Sequence, residues 1–524
     1  MDYLPKMLFS DNYKKYTFDS FSGYVHKENL KEGGIWDMKN MSTDAYPALS
    51  TRQKRLKTAE ISNPNGLYYF GDEYYVSGTG FYKNGVLCGS VSNTEKRFAS
   101  LGKYIVIFPD KKYYDTENGT FSSLEATYSG PVLIKDGTYV GQSAEANTIY
   151  APGVDFSACF SEGDAVTISG CLLHPENNTS VIIREVGNGE LRFYENTFTV
   201  GTGGDSENIT IKREVPELDF VFENENRLWG CKDNTVYASK LGDIFNFYSY
   251  DGISKDSYAV NIGSEGAFTG ACSYLGYPCF FKADKIYKVY GDRPSNFSLM
   301  GTDCDGVAPG SSLSLSNVGG SLYYLSPSGF MSYGGAMPKS ISYALGDDKF
   351  FDAVGGRIGH KYYVSAKTSD NEHHLLVYDT DKGIWSKEDG ADIIAFSNSG
   401  SGEFLTRDGK LFCVLPSVGD VGTDESAFSS FVEFAPMRGA EDKKGICRLY
   451  LGIVPKTECG ICVKVKYDND AAWQSVFSKT LSADTSIIVP LIVKRCGKFR
   501  IKIEGDSLWQ LRFLTVQRYT GSDM

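Results

Sequence analysis

Residues 114–121 read Tyr114-Asp115-Thr116-Glu117-Asn118-Gly119-Thr120-Phe121, and residues 378–385 read Tyr378-Asp379-Thr380-Asp381-Lys382-Gly383-Ile384-Trp385. Tyr, Asp, Thr, an acid, Gly and a closing aromatic recur in the same places. Asp, Asn and Gly are turn formers, whereas Tyr, Phe and Trp favour strands. The phrase therefore predicts strand, tight turn, strand, with an aromatic on each arm. Looser copies run from Tyr237 to Phe245 through Gly242-Asp243, and from Tyr290 to Phe297 through Gly291-Asp292. A second echo pairs Tyr74-Tyr75-Val76-Ser77 with Tyr362-Tyr363-Val364-Ser365. Recurring hairpins with aromatic ends suit a radial repeat of small antiparallel sheets, so the expected fold is all-β, a six- or seven-bladed β-propeller.

Working outward, strand-like runs with turns between them repeat at the length of a four-stranded blade. Leu67-Tyr68-Tyr69-Phe70 leads into a turn at Gly71-Asp72, and Lys83-Asn84-Gly85 marks the next hairpin. The rhythm resumes near 97, giving blades over 61–129. It stops at 130–218, where Val132-Leu133-Ile134, Ala165-Val166-Thr167-Ile168 and Val181-Ile182-Ile183 carry no copy of the phrase. That segment reads as an inserted small β-domain, a barrel or sandwich, with hairpin turns at Gly163-Asp164 and Gly187-Asn188-Gly189. Repeats return over 219–427, each taken to open on an apolar strand such as Tyr277-Pro278-Cys279-Phe280-Phe281 or Leu322-Tyr323-Tyr324-Leu325. Blades tolerate such an insertion because each packs mainly on its neighbours. Residues 428–524 alternate charged and apolar positions, as in Cys462-Val463-Lys464-Val465-Lys466-Tyr467, and read as a β-sandwich. Residues 1–60 read as an arm with the first strands.

At 524 residues the chain is too long for one core. Its 41% apolar and 23% charged residues are those of a folded protein, and 35 Tyr with 56 Gly favour short strands and turns. A net charge of −12 argues against coating nucleic acid, whose phosphates need a basic surface. The start, Met1-Asp2-Tyr3-Leu4-Pro5-Lys6, has no signal-peptide core, and no apolar run is long enough to span a bilayer. These features predict a soluble protein made in the cytoplasm, with no membrane partner.

Searching for chemistry gives little. His26, His174, His360, His373 and His374 form no zinc spacing, and neither a nucleophile elbow nor a phosphate loop is present. The twelve cysteines read as buried free thiols. The single pair Cys459-Gly460-Ile461-Cys462 would point its sulfurs to opposite faces of a strand. Asp379-Thr380-Asp381 and Asp303-Cys304-Asp305-Gly306 could offer oxygens to calcium, but lack a downstream bidentate Glu and read as turns. The expectation is therefore no enzyme, no cofactor and no metal. One basic cluster, Arg52, Lys54, Arg55 and Lys57, reads as a solvated loop or, more sharply, as a contact for an acidic partner or DNA.

The stretch Asn40-Met41-Ser42-Thr43-Asp44-Ala45-Tyr46-Pro47-Ala48-Leu49-Ser50-Thr51-Arg52 resembles a segment near the start of many tailed-phage virion proteins, of the form N-M-S-x-D-x-Y-P-x-L-x-x-R. These are the packaged-DNA stabilisation or tail-hub proteins of short-tailed phages and their prophage relatives. Lys494-Arg495-Cys496-Gly497-Lys498-Phe499-Arg500-Ile501-Lys502-Ile503-Glu504-Gly505-Asp506-Ser507-Leu508-Trp509-Gln510-Leu511 is similar to the strand pair on which they often end. The resemblance implies a structural head-to-tail connector that seals the portal channel and retains packaged DNA. It also implies a homo-oligomeric ring in the virion, bound to portal or adaptor and tail proteins, with at most passing contact with DNA. The competing reading is a receptor- or glycan-binding tail protein, possibly a glycan hydrolase. Such a protein would gather exposed Tyr or Trp beside carboxylates in one cleft.

Overall fold

Strand formers and turn formers alternate along the whole chain, and the protein is all-β. A computed structural model describes residues 13–137, 145–194, 197–200, 206–397, 402–414, 425, 428–438, 444–468, 470–492 and 494–519. The leader reading at 1–6 and the turn residue Asn469 lie outside them. Helices among the described residues are short 3-10 turns. Two compact units are formed, one from 63–309 and one from 1–62 with 310–524.

The unit spanning 63–309 contains four four-stranded antiparallel sheets, over 64–90, 97–123, 220–261 and 270–303. Consecutive sheets interlock through rings. Tyr68 stacks on Phe98 at 5.5 Å between centroids, and Phe222 meets Phe280 at 5.6 Å. A Cβ on Gly89 would collide with the Phe121 ring, so glycine there lets the next sheet approach. Between the second and third of these sheets lies the insertion, a closed five-stranded barrel over 126–213. Its core holds Val132, Ile149, Phe156, Val166, Ile183 and Ile211, all nearly inaccessible. The limits are thus a few residues earlier than the expected 130–218. The predicted hairpin at Gly187-Asn188-Gly189 instead lies inside the long strand Ser180–Phe193, where Asn188 pairs with Asp155 across a register shift whose extra residues, 151–154, sit on the partner strand. Glycine suits either a turn or an irregular stretch of strand, and here the pairing partner decides.

The other unit holds three more four-stranded sheets and two larger ones. Two of the small sheets lie over 316–340 and 350–387, and the third combines Ile393–Phe396, Glu403–Thr406 and Lys410–Cys413 with Leu56–Glu60 from the start of the chain. Two of the strands taken to open repeats do not open them: Tyr277–Phe281 and Ser321–Ser326 are second strands, preceded by Gly270–Tyr274 and Ser316–Val318. Second strands are covered on both faces and read as continuous apolar runs. Gly270–Tyr274 and Ser316–Val318 bury fewer of their residues than the second strands do, and so escape notice.

Both copies of the opening phrase join the third and fourth strands of a four-stranded sheet. Tyr114 pairs with Phe121 and Tyr378 with Trp385. Gly119 donates its N–H to the Asp115 carbonyl and Gly383 to that of Asp379, each at 2.8 Å. The two glycines sit at φ 69° and 67°, where a side chain would be strained. The loose copy at Tyr237 is not a hairpin: Thr235–Ala238 and Tyr258–Asn261 are joined by a long loop.

Residues 428–519 form most of a seven-stranded and a six-stranded sheet. Cys459–Tyr467 alternates strictly between buried and half-buried positions, so Cys459 faces in and Cys462 faces out. The described residues of the expected arm and first strands are built into these sheets. Tyr13–Phe18 pairs with Trp509–Tyr519, Ile35–Lys39 with Ser430–Phe434, and Leu49–Thr51 with Trp509–Tyr519.

Candidate interaction site

The basic cluster follows the strand Leu49–Thr51, and its fate depends on what the sheets bring against it. Arg52 and Arg55 are 4% and 2% exposed. Arg52 donates from both terminal nitrogens to the two oxygens of Glu425, each at 2.8 Å, and from Nε to Asn40 Oδ1 at 2.9 Å. Arg55 donates to Glu388 Oε2 at 2.6 Å and to Asp389 Oδ2 at 2.7 Å. Guanidinium forks suit such paired carboxylate contacts. Burial pushes the Asp389 carboxyl up, but Arg55 and Arg52 outweigh it and hold the group below its usual range. Glu425 is held low in the same way by Arg52.

Arg52 and Arg55 therefore work inside the protein, tying the start of the chain to the sheet over 350–387. This corrects their reading as contacts for an outside partner. A run of basic residues looks exposed in sequence because its distant acids are invisible there. Lys57 bonds Glu60 at 3.2 Å on an exposed strand, and Lys54 is half-buried. Only these two of the four reach the surface. Sequence reasoning missed Glu388, Asp389 and Glu425. The adjacent acids at 388–389, just after Trp385, were the available signal.

The rest of the Asn40–Arg52 stretch makes the same kind of bond. Asn40 takes φ 55°, and its Nδ2 donates to the Ser429 carbonyl at 2.7 Å. Thr43 donates to Asp379 Oδ2 at 2.7 Å, so this segment reads the turn of the repeated phrase directly. Asp44 accepts from Lys361 at 2.6 Å, and Lys361 outweighs burial to keep the Asp44 carboxyl low. Leu49 pairs with Leu511 and Ser50 with Gln510, while Trp509 donates its indole N–H to Ser430 Oγ at 2.8 Å. The two segments that carry the phage resemblance thus meet in one sheet.

Donor atoms of His360, Asp379 and Asp381 lie within 4.8 Å of one another. Lys382 Nζ already sits 2.7 Å from Asp379 Oδ2, opposite the Thr43 hydroxyl. Asp379 is thereby compensated by a cation of the chain itself. Asp303 pairs with Lys285 at 2.8 Å. All twelve cysteines are free, six of them buried. Among the described residues, no helix is long and apolar enough to cross a membrane.

No family model matches the chain, and no curated protein matches it. Among solved structures, the chain is similar to the module TmCBM61 in complex with β-1,4-galactotriose, at 14% identity over 17% of this chain and 64% of that one, with a TM-score of 0.14. It is also similar to an exo-β-1,3-galactanase from Phanerochaete chrysosporium, at 10% identity over 56% and 94% of the two chains and a TM-score of 0.21. Raptor of Chaetomium thermophilum gives 11% identity over 69% of this chain and 29% of that one, with a TM-score of 0.31. Likenesses at this level carry no argument about what the chain does.

Proposed function

We propose that the chain is a structural virion protein of a tailed bacteriophage, a head-to-tail connector or tail hub, built as a six- or seven-bladed β-propeller with an inserted barrel and a C-terminal β-sandwich. The observation that carries this reading is the pairing of Leu49–Thr51 with Trp509–Tyr519. It joins the two segments whose sequences resemble phage neck proteins, although they lie near opposite ends of the chain. Residues of the first segment spend their polar groups on internal bonds, as expected of a part whose work is to hold a shape.

The propeller reading is supported by the four-stranded sheets themselves. Within each unit, consecutive sheets pack through aromatic rings, and the last takes its fourth strand from the start of the chain. Protomers in a cyclic ring present two different faces to their neighbours. On this reading, the portal or adaptor lies above, tail proteins lie below, and assembly is six-fold or twelve-fold. A net charge of −12 would repel DNA in transit and favour its release. The protein acts by assembly, not by catalysis. Phage lacking the gene tests this: particles should package DNA and then lose it, or fail to attach tails. Complete, DNA-filled particles unable to adsorb to cells would overturn the connector reading.

A further inference from the structure

In the unit spanning 63–309, a groove of about 340 Å³ opens between the barrel and the long loop that follows Thr235–Ala238. Its size falls within the usual range of small-molecule clefts, about 300–1,000 Å³. Tyr194 comes from the barrel, and Tyr248 and Tyr250 come from the loop; all three line the groove and stay 38–55% exposed. Elsewhere in this unit Tyr74 and Tyr114 are packed away, while Tyr277 and Tyr290 are exposed as a pair on the sheet over 270–303 and line no part of this groove. Three accessible rings around one concavity are not a core, and exposed apolar surface gathered in a groove marks a contact site.

The rings are held in place. Arg184 lies over Tyr194 at 5.5 Å, Tyr237 meets Tyr248 edge-on at 6.5 Å, and the Tyr250 hydroxyl donates to the Phe247 carbonyl at 3.4 Å. Polar groups stand beside them. Thr167 and Ser180, hydrogen-bonded to each other at 3.1 Å, line one wall, and Glu214 and Asp251 also border the groove. No lysine or arginine is among the described lining residues. Glu214 is balanced by Lys212 at 2.9 Å. Burial and nearby Asp256 push the Asp251 carboxyl up. Burial also pushes the Tyr248 hydroxyl up to about 12, so it remains a donor.

We propose that this groove binds a neutral oligosaccharide, with Tyr248 and Tyr250 stacking on the C–H faces of sugar rings and Asp251, Thr167 and Ser180 bonding their hydroxyls. A pyranose presents a weakly positive C–H face to the negative face of an aromatic ring, and its rim of hydroxyls needs donors and acceptors. Tyrosine supplies that platform at low entropic cost, because it has only two side-chain torsions to fix. An anionic ligand would meet two carboxyl groups and no lysine or arginine among the described residues of the groove wall, since Lys212 is taken by Glu214 and Arg184 lies over Tyr194.

The test applies the full chain to a printed array of neutral, sialylated, phosphorylated and amino oligosaccharides, then titrates the strongest neutral glycan by calorimetry. Binding should fall about tenfold for Tyr250→Ala and again for Tyr248→Ala. Asp251→Asn should bind like the parent, since an amide keeps the hydrogen bonds, and Asp251→Ala should bind more weakly. Tyr250 is more than half exposed, so its variant should melt like the parent and remains decisive if Tyr248→Ala loosens the loop. Binding confined to charged glycans, tyrosine variants that bind like the parent, or no neutral glycan bound on the array would each overturn the proposal. Glycan binding here would also meet the criterion for a receptor- or glycan-binding tail protein, so the place of the chain in the virion is judged separately, from particles lacking the protein.

Discussion

Arg55 and Glu388 lie 2.6 Å apart with side chains 3% and 2% exposed, although 333 positions separate them in sequence. Removing one partner from a buried pair strands the other charge, which typically costs about 3–5 kcal/mol. Arg55→Met should destabilise the unit containing 1–62 and 310–524 by that amount, read as a lower urea midpoint. Arg55→Lys should recover only part of it, because one ammonium cannot reach Glu388 and Asp389 with a fork. A midpoint unchanged in Arg55→Met would show that the cluster holds nothing.

The same cluster sets a pH dependence. Asp389 and Glu425 have folded-state pKa values below their unfolded ones, and Asp44 and Asp379 share that direction. Their contribution is therefore fully present above the unfolded carboxylate range, about 4, and is lost as pH falls through the depressed values. Urea midpoints should hold steady near neutrality and drop below pH 4. In Glu425→Gln the drop should be shallower, starting from a lower midpoint at pH 7. Identical acid limbs in the two proteins would contradict this.

Trp385 packs between neighbouring sheets, 5.2 Å from the Phe330 ring and 4.9 Å from Tyr378, and donates its indole N–H to the Ile341 carbonyl at 2.8 Å. Trp385→Ala should cost about 3–5 kcal/mol, visible as a drop in Tm. An unchanged Tm would mean that the ring carries no packing load.

The barrel begins and ends on paired strands, with Ala126 opposite Arg213. Replacing 126–213 by a short Gly/Ser bridge should therefore leave the flanking sheets folded. It also removes Arg213 from the Leu124 carbonyl and Asp164 from Asn246, so some stability is lost. Soluble protein with a β-type circular dichroism spectrum is expected. Insoluble product from several bridge lengths would show that the barrel is part of the sheet array.

Much of the fold could be read from local signals. The Tyr-Asp-Thr phrase marked the same hairpin twice because a tight turn needs its Asp and Gly wherever it occurs. The interruption at the barrel showed because its Val- and Ile-rich strands lack that turn. What stayed hidden was non-local. Nothing in Leu56–Glu60 says that it completes a sheet with Lys410–Cys413, and nothing in Arg52 or Arg55 names Glu425 or Glu388. The groove tyrosines were equally illegible among 35, since only the fold separates exposed rings from packed ones.

The connector reading is tested most directly by electron microscopy of virions carrying a gold label at the C-terminus of this chain. The account predicts label at the neck, between the head and the tail, in particles that retain their DNA. Label at the distal tip of the tail would contradict it.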